Sequence, residues 1–203
     1  MTPHSRPTPK RRKLASLNLA TAAEAIGHLD PIAEIYGVTR GDISLTDILA
    51  HVMQDTDSRD IVLATWTAAA GSLTVFADMV RARAIRSLRL IVDPSFVTRK
   101  PADCELVHTL FGSEAIRCVP LHAKFAVLTG GRVPVTLRTS MNLNPNSRLE
   151  SYEISTCPAM ADYHLRLADQ IFEQFAVPMP REWQSNSRRP LKQIDAKAPA
   201  PMF

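Results

Sequence analysis

The stretch VPLHAKFAVLTGGRVPVTLRTSMNLNPNSRLESYEIS, residues Val119–Ser155, decides how this chain is read. Short apolar runs alternate with clusters of Gly, Pro, Asn and Ser, and such runs between turn residues signal strands. The spacing predicts strands over His122–Leu128, Val133–Met141 and Tyr152–Thr156. Side chains two apart share one face of a strand. His122 and Lys124 therefore point the same way, as do Ser140 and Asn142 at the end of the next strand, give or take a residue. Glu153 sits in the third strand beside Tyr152 and Ile154, which can face the other side. If the three strands are neighbours, an imidazole, an ammonium, a hydroxyl, a carboxamide and a carboxylate converge on one patch.

That set suits phosphodiester chemistry. A phosphodiester is anionic and repels nucleophiles. Cleaving it takes a cation and hydrogen-bond donors on the non-bridging oxygens, a nucleophile, and a proton for the leaving group. Lys124 and Asn142 can supply the first, with Ser140 helping. Neutral His122 can be the nucleophile. Glu153 can hold the ring by its other nitrogen, fixing tautomer and orientation.

The same spacing resembles the phospholipase D superfamily. Its signature is His-x-Lys, then four residues and an Asp, followed by Gly-Ser-x-Asn and a downstream Glu. Here stand His122-Ala123-Lys124, Thr139-Ser140-Met141-Asn142 and Glu153. The distance from Ser140 to Glu153 resembles that of the short bacterial endonucleases of the superfamily, and NLNPNSRLE is similar to a phage-associated branch. The resemblance covers roughly residues 60–177. Two positions depart from it: Thr129 stands where the signature has Asp, and Thr139 where it has Gly. The missing Asp is commonly a structural support, and the Thr139 change bears on the strand end and the approach of a phosphate.

The family mechanism uses two histidines, one as nucleophile and one as general acid. This chain has one His-x-Lys; His4, His28, His51, His108 and His164 have no lysine two residues on. The resemblance thus implies a homodimer with one active site on its two-fold axis. No metal or other cofactor is expected, because the lysines do the electrostatic work that a metal does elsewhere.

Outward from this stretch, Asp60–Thr67 and Leu88–Val92 read as further strands, with another near Ile116–Val119. Helical periodicity marks about Ala69–Ile85, a short helix near Ala102–Phe111 after a loop, and a last helix from about Asp162. Strands alternating with helices predict an α/β fold, a mixed sheet with helices on both faces. Before it, residues 14–59 are expected as a small helical extension. Ser44 caps a helix carrying Leu45, Ile48, Leu49, Val52 and Met53, and a weaker helix lies around Thr21–His28. The expected organisation is a disordered basic tail over 1–13, the extension over 14–59, a catalytic domain over 60–180 and a basic tail over 181–203.

The chain has 203 residues and a net charge of +4. The charge is uneven: residues 1–13 carry +5, 14–59 carry −5, 60–180 carry +1 and 181–203 carry +3. Basic tails suit nucleic acid or an anionic surface, or serve only to solubilise. No apolar run of about 18 residues exists, so no membrane anchor is expected. Cys104, Cys118 and Cys157 are too few and too scattered for a disulfide framework or a zinc site. Reduced thiols in a cytoplasmic protein are the default.

The leading expectation is therefore a metal-independent phosphodiesterase, a DNA endonuclease working through a phosphohistidine, with RNA open as a substrate. A phospholipid-acting enzyme, and a module that binds nucleic acid without cutting it, are the alternatives; Thr129 keeps the second in play. Asn144, Asn146, Arg148 and Glu150 either line a substrate groove or form an Asn/Pro-rich turn with an exposed ion pair. Trp66, at the first strand's end, is expected in the core instead of stacking a base. Arg81, Arg83, Arg86 and Arg89 read as solvated surface, and Asp93-Pro94 as a strand end.

Overall fold

A computed structural model describes residues 11–15, 19–145 and 147–175. The expected tail over 181–203 and the first ten residues lie outside them. Among the described residues the strands form one eight-stranded sheet in the order β1-β2-β8-β7-β6-β3-β4-β5. The strands are β1 (Arg11–Ala15), β2 (Ala33–Thr39), β3 (Asp60–Thr65), β4 (Ser87–Val92), β5 (Ile116–Cys118), β6 (Phe125–Thr129), β7 (Val135–Thr139) and β8 (Glu150–Ser155). The helices are α1 (Ala22–Ile26), α2 (Leu45–Thr56), α3 (Ala70–Arg81), α4 (Pro94–Arg99), α5 (Pro101–Phe111) and α6 (Pro158–Gln174). β3, β4 and β5 run parallel, whereas β6, β7, β8 and β2 alternate in direction.

The alternation along each strand separates two apolar layers. Ile61, Leu63, Leu90, Leu128, Leu137 and Ile154 face a large core closed by Ile48 and Leu49 of α2, Leu73 and Phe76 of α3, and Val107 of α5. Val62, Ala64, Ile91, Phe125 and Val127 face the other side, where Ala161, Ala168 and Ile171 of α6 cover them. The expected mixed α/β sheet with helices on both faces is therefore present.

Residues 14–59 differ from the expected helical extension. They supply α1 and α2, whose caps Thr21 and Ser44 each close a reciprocal capping box. They also supply β2, which pairs with β8 and buries Ala33, Ile35, Gly37 and Thr39 at every second position. This segment is part of the main core, and α2 buries the predicted Leu45, Ile48, Leu49, Val52 and Met53. The expected disordered tail is corrected too: Arg11–Lys13 open β1, the edge strand parallel to β2. Edge strands tolerate basic residues because their free side faces water. The loop expected after Val92 holds α4, begun by Asp93 as cap and Pro94 in the first turn.

The directions of the strands gather several ends at one edge. β3 and β4 end there, at Thr65 and Val92; β6 and β8 begin there, and β7 ends there at Thr139. Ligands of open α/β sheets bind outside the carboxyl ends of the parallel strands.

Candidate active site

His122 and Lys124 stand at this edge, outside any strand: β6 starts at Phe125, so the predicted strand from His122 is shorter than expected. Pro120 has no amide hydrogen for a ladder, and only the Lys124 carbonyl joins β7, accepting from Thr139 N at 3.1 Å. The approach to His122 is held by Asp93, whose carboxylate accepts from Leu121 N at 3.0 Å and from Ser95 N at 2.8 Å. Asp93 thus ties the histidine loop to α4, beyond the strand-ending role expected of it. His122 is exposed, with its ring tilted at 54° to that of Trp66, centroids 6.3 Å apart.

Lys124 is half-buried, and its Nζ donates to the His122 carbonyl at 2.9 Å. The ammonium is thereby fixed against the histidine's own backbone. Burial pulls its pKa below the ordinary lysine value, and the Glu150 carboxylate pulls it back up. Both effects place Lys124 in a partly desolvated site with an acidic neighbour.

Ser140 follows β7 and is stitched to β8. Its N–H donates to Ser151 O at 3.1 Å, its Oγ accepts from Ser151 N at 2.9 Å, and its hydroxyl donates to a Glu150 carboxylate oxygen. Thr139, in place of the signature glycine, completes the turn: its hydroxyl donates to Ser151 O at 2.7 Å and accepts from Met141 N at 3.0 Å. The side chain that departs from the signature is thus a structural part of the strand end.

Asn142 lies between the buried Met141 and Leu143. Leu143 N donates to Thr67 O and Thr65 Oγ1, each at 3.2 Å, and Leu143 O accepts from Ala69 N at 2.8 Å. The loops after β7 and β3 are therefore joined beneath the site. The Asn142 Oδ1 is buried with no hydrogen-bond partner, and the amide nitrogen is the donor end of the side chain. Unsatisfied buried polar atoms are uncommon in folded proteins. Asn144 Oδ1 is buried and without a partner in the same way. Arg148 is exposed, and Asn146 lies outside the described residues.

Glu153 lies in β8 with Tyr152 and Ile154 facing the other way, as the sequence reading has it, but its carboxylate pairs with Arg138 and not with the His122 ring. Tyr152 and Ile154 are core residues at 2% and 1% exposure, so Glu153 points to the opposite face. There it pairs with Arg138, its cross-strand neighbour. The carboxylate that meets Ser140 and acts on Lys124 belongs to Glu150, at the start of β8. Parity along the strand carries this signal: Glu150 shares the parity of the core residues Tyr152 and Ile154, and Glu153 does not.

Trp66 also departs from expectation. It is half-buried, outside both apolar clusters, and the Arg99 guanidinium carbon lies 4.4 Å from its ring centroid. Thr129, at the signature's Asp position, lies opposite Asp60 across β3 and β6. Asp60 accepts from Arg86 Nε at 2.9 Å and from Ser87 Oγ at 2.7 Å. A carboxylate is thus present beside this position, on the neighbouring strand. Arg86 is accordingly an ion-pair partner, and Arg89 likewise pairs with Asp169. Cys104 and Cys118 are buried thiols; burial raises both pKa values, that of Cys104 to about 11.

Among the described residues, no group of three or more His, Cys, Asp or Glu is placed to hold a metal ion, and no helix is long and apolar enough to cross a membrane.

The fold is like that of a phospholipase D family member of known structure. The chain resembles Nuc from Salmonella typhimurium, described as a phospholipase D family member, with a TM-score of 0.50 at 13% identity, over 70% of this chain and 95% of that one. NucT from Helicobacter pylori gives a TM-score of 0.50 at 12% identity, over 65% of this chain and 91% of NucT. Polyphosphate kinase from Porphyromonas gingivalis gives 0.51 at 14% identity, over 72% of this chain but 26% of the kinase. No protein-family model matches the sequence, and no curated protein matches it either.

Proposed function

We propose that this chain is a phosphodiesterase that cleaves nucleic acid, DNA foremost, through a phosphohistidine on His122. The observation that carries the reading is the convergence, at one sheet edge, of an exposed imidazole with a tethered ammonium, a hydroxyl–carboxylate pair and a carboxamide. Lys124 Nζ and the Asn142 amide nitrogen are the groups that meet the non-bridging oxygens, while the Ser140 hydroxyl, whose proton goes to Glu150, holds the strand end. Glu150 keeps Ser140 and Lys124 in place.

In the first step a neutral His122 nitrogen attacks phosphorus. The P–N bond forms, the P–O bond to the leaving group breaks, and a protonated imidazole gives that oxygen its proton. In the second step the same imidazole, now neutral, takes a proton from water. The water oxygen attacks phosphorus, the P–N bond breaks and the phosphomonoester leaves. One chain has one His-x-Lys, so the acid–base imidazole is the His122 of a second copy across a two-fold axis. The lysines supply positive charge to the phosphate, and the reaction proceeds without a metal.

The basic ends of the sequence fit a nucleic-acid substrate, since they add a sequence-independent electrostatic grip. Incubation with DNA in EDTA tests the reading. Cleavage is expected to persist in chelator and to vanish in His122→Ala. Loss of cleavage in EDTA, or cleavage unaffected by His122→Ala, overturns it. Tight DNA binding by the wild type with no cleavage favours the non-cutting module. Co-expression of wild type with His122→Ala tests the shared site: activity falls as the square of the wild-type fraction if two copies each contribute a histidine, and in proportion to it if each chain acts alone.

A further inference from the structure

The cleavage chemistry acts on a phosphate and does not by itself say what flanks it. The surroundings of His122 do. Trp66 leaves the end of β3 at the site edge, held by its neighbours: Thr65 Oγ1 donates to Thr67 O at 2.9 Å, and Thr67 O accepts from Leu143 N. The backbone under the indole is therefore fixed to the loop that carries Asn142. The His122 ring is tilted against the indole with centroids 6.3 Å apart, and the Arg99 guanidinium carbon lies over the indole ring, 4.4 Å from its centroid. Arg99 ends α4 and is exposed; its Nη2 donates to Ser95 Oγ at 2.7 Å and its Nε to Ser95 O at 3.4 Å. No carboxylate appears among these contacts. The arginine lies over an aromatic face instead of in an ion pair.

We propose, resting on the nuclease reading above, that Trp66 and Arg99 form a nucleobase-stacking subsite beside His122. The base next to the scissile phosphate stacks on the indole. The guanidinium, displaced from the ring, meets the neighbouring phosphate. An exposed cation–π contact is weak, and base–aromatic stacking together with a charge-assisted phosphate contact is stronger. The exchange therefore favours the bound state. A base can occupy this subsite only when it is out of a duplex stack, so the preferred substrate is unpaired nucleic acid. Stacking uses the π-face that every base has, so the subsite selects for an unpaired base and not for a sequence. The common phospholipid headgroups have no aromatic base to stack there.

Trp66 and Trp183 are the two tryptophans of the chain, so Trp183→Phe leaves Trp66 as the sole indole emitter. A single-stranded oligonucleotide is expected to quench its fluorescence, and the same strand made of abasic sugars is not. Equal quenching by both, or by neither, overturns the subsite. In cleavage, Trp66→Ala is expected to raise KM for the oligonucleotide about tenfold, to leave KM for the abasic strand unchanged, and to be largely rescued in Trp66→Phe. If Trp66→Ala impairs both strands equally, the indole only supports His122 and the subsite is rejected. If the wild type cleaves neither strand, the nuclease reading falls, and the quenching comparison still decides the subsite.

Discussion

The Ser140 hydroxyl donates to the Glu150 carboxylate, and through that contact the end of β7 is locked to the start of β8. The loop that carries Ser140 is fixed to β8 by this acid, and the same acid offsets the desolvation of Lys124. Glu150→Gln keeps the shape and removes the charge. It is expected to lower phosphodiester cleavage about tenfold or more, as loss of an orienting partner commonly does. Glu153→Gln, which loosens an exposed pair with Arg138 on the opposite face, is expected to change cleavage less than twofold, about the scale of exposed ion pairs. Steady-state rates of the two variants check this. An effect confined to Glu153→Gln returns the supporting role to that residue.

Lys124 is expected to set the alkaline limit of activity. Its pKa lies below the ordinary 10.5 because burial disfavours the charged form. Activity that needs the ammonium is full below that pKa and is lost as pH rises through it, so the alkaline limb falls at a lower pH than for a free lysine. In Glu150→Gln the carboxylate that raises this pKa is gone, and the limb moves further down. Lys124→Arg stays charged throughout and is expected to flatten the limb at a lower overall rate, since a planar guanidinium does not reproduce a point charge. A pH profile of kcat/KM for the three proteins measures this.

Asp93 joins stability to catalysis. One oxygen caps α4 and the other holds Leu121 N, one residue before His122. Asp93→Ala removes a helix cap worth about 1 kcal/mol, which corresponds to a fall in Tm of about 2–4 °C in a chain of this size. The freed Leu121 segment is expected to cost kcat more than KM, because it positions the nucleophile and does not touch the substrate. Asp93→Asn keeps an acceptor oxygen and is expected to recover part of both losses. Thermal melts and steady-state kinetics of the pair separate the effects.

Much of this was legible in the sequence, and the misses have physical causes. The central strands were readable because they are buried and rich in branched residues, as in Ile61-Val62-Leu63. The capped α2 was readable because its apolar residues follow one stripe. β2 was not, because Glu34, Tyr36 and Gly37 interrupt a short run whose alternation becomes plain only beside β8. The histidine, lysine, serine and asparagine of the site came from short-range spacing. The Ser140–Glu150 contact leaves no mark in that spacing, because it depends on which side of β8 faces the core. An aromatic at a strand end reads as core, whereas the Arg99 over Trp66 is 33 positions away and leaves no local mark.

Gly37 gives the sharpest test that residues 14–59 belong to the folded unit. A Cβ at this position would lie 2.1 Å from the Tyr152 ring, which is itself buried. The ring packs flat over the β2 backbone because there is no side chain beneath it, and it does so two residues from Glu150. Gly37→Ala must push the ring or the strand aside, and overpacking of this kind costs about 1–3 kcal/mol. Urea unfolding of Gly37→Ala is expected to show one cooperative transition at a lower midpoint with an unchanged slope, as for a single unit. Restoring space with Tyr152→Leu in the same chain should recover part of the midpoint. Were residues 14–59 an independent appendage, Gly37→Ala would leave the main transition where it was and the second substitution would rescue nothing.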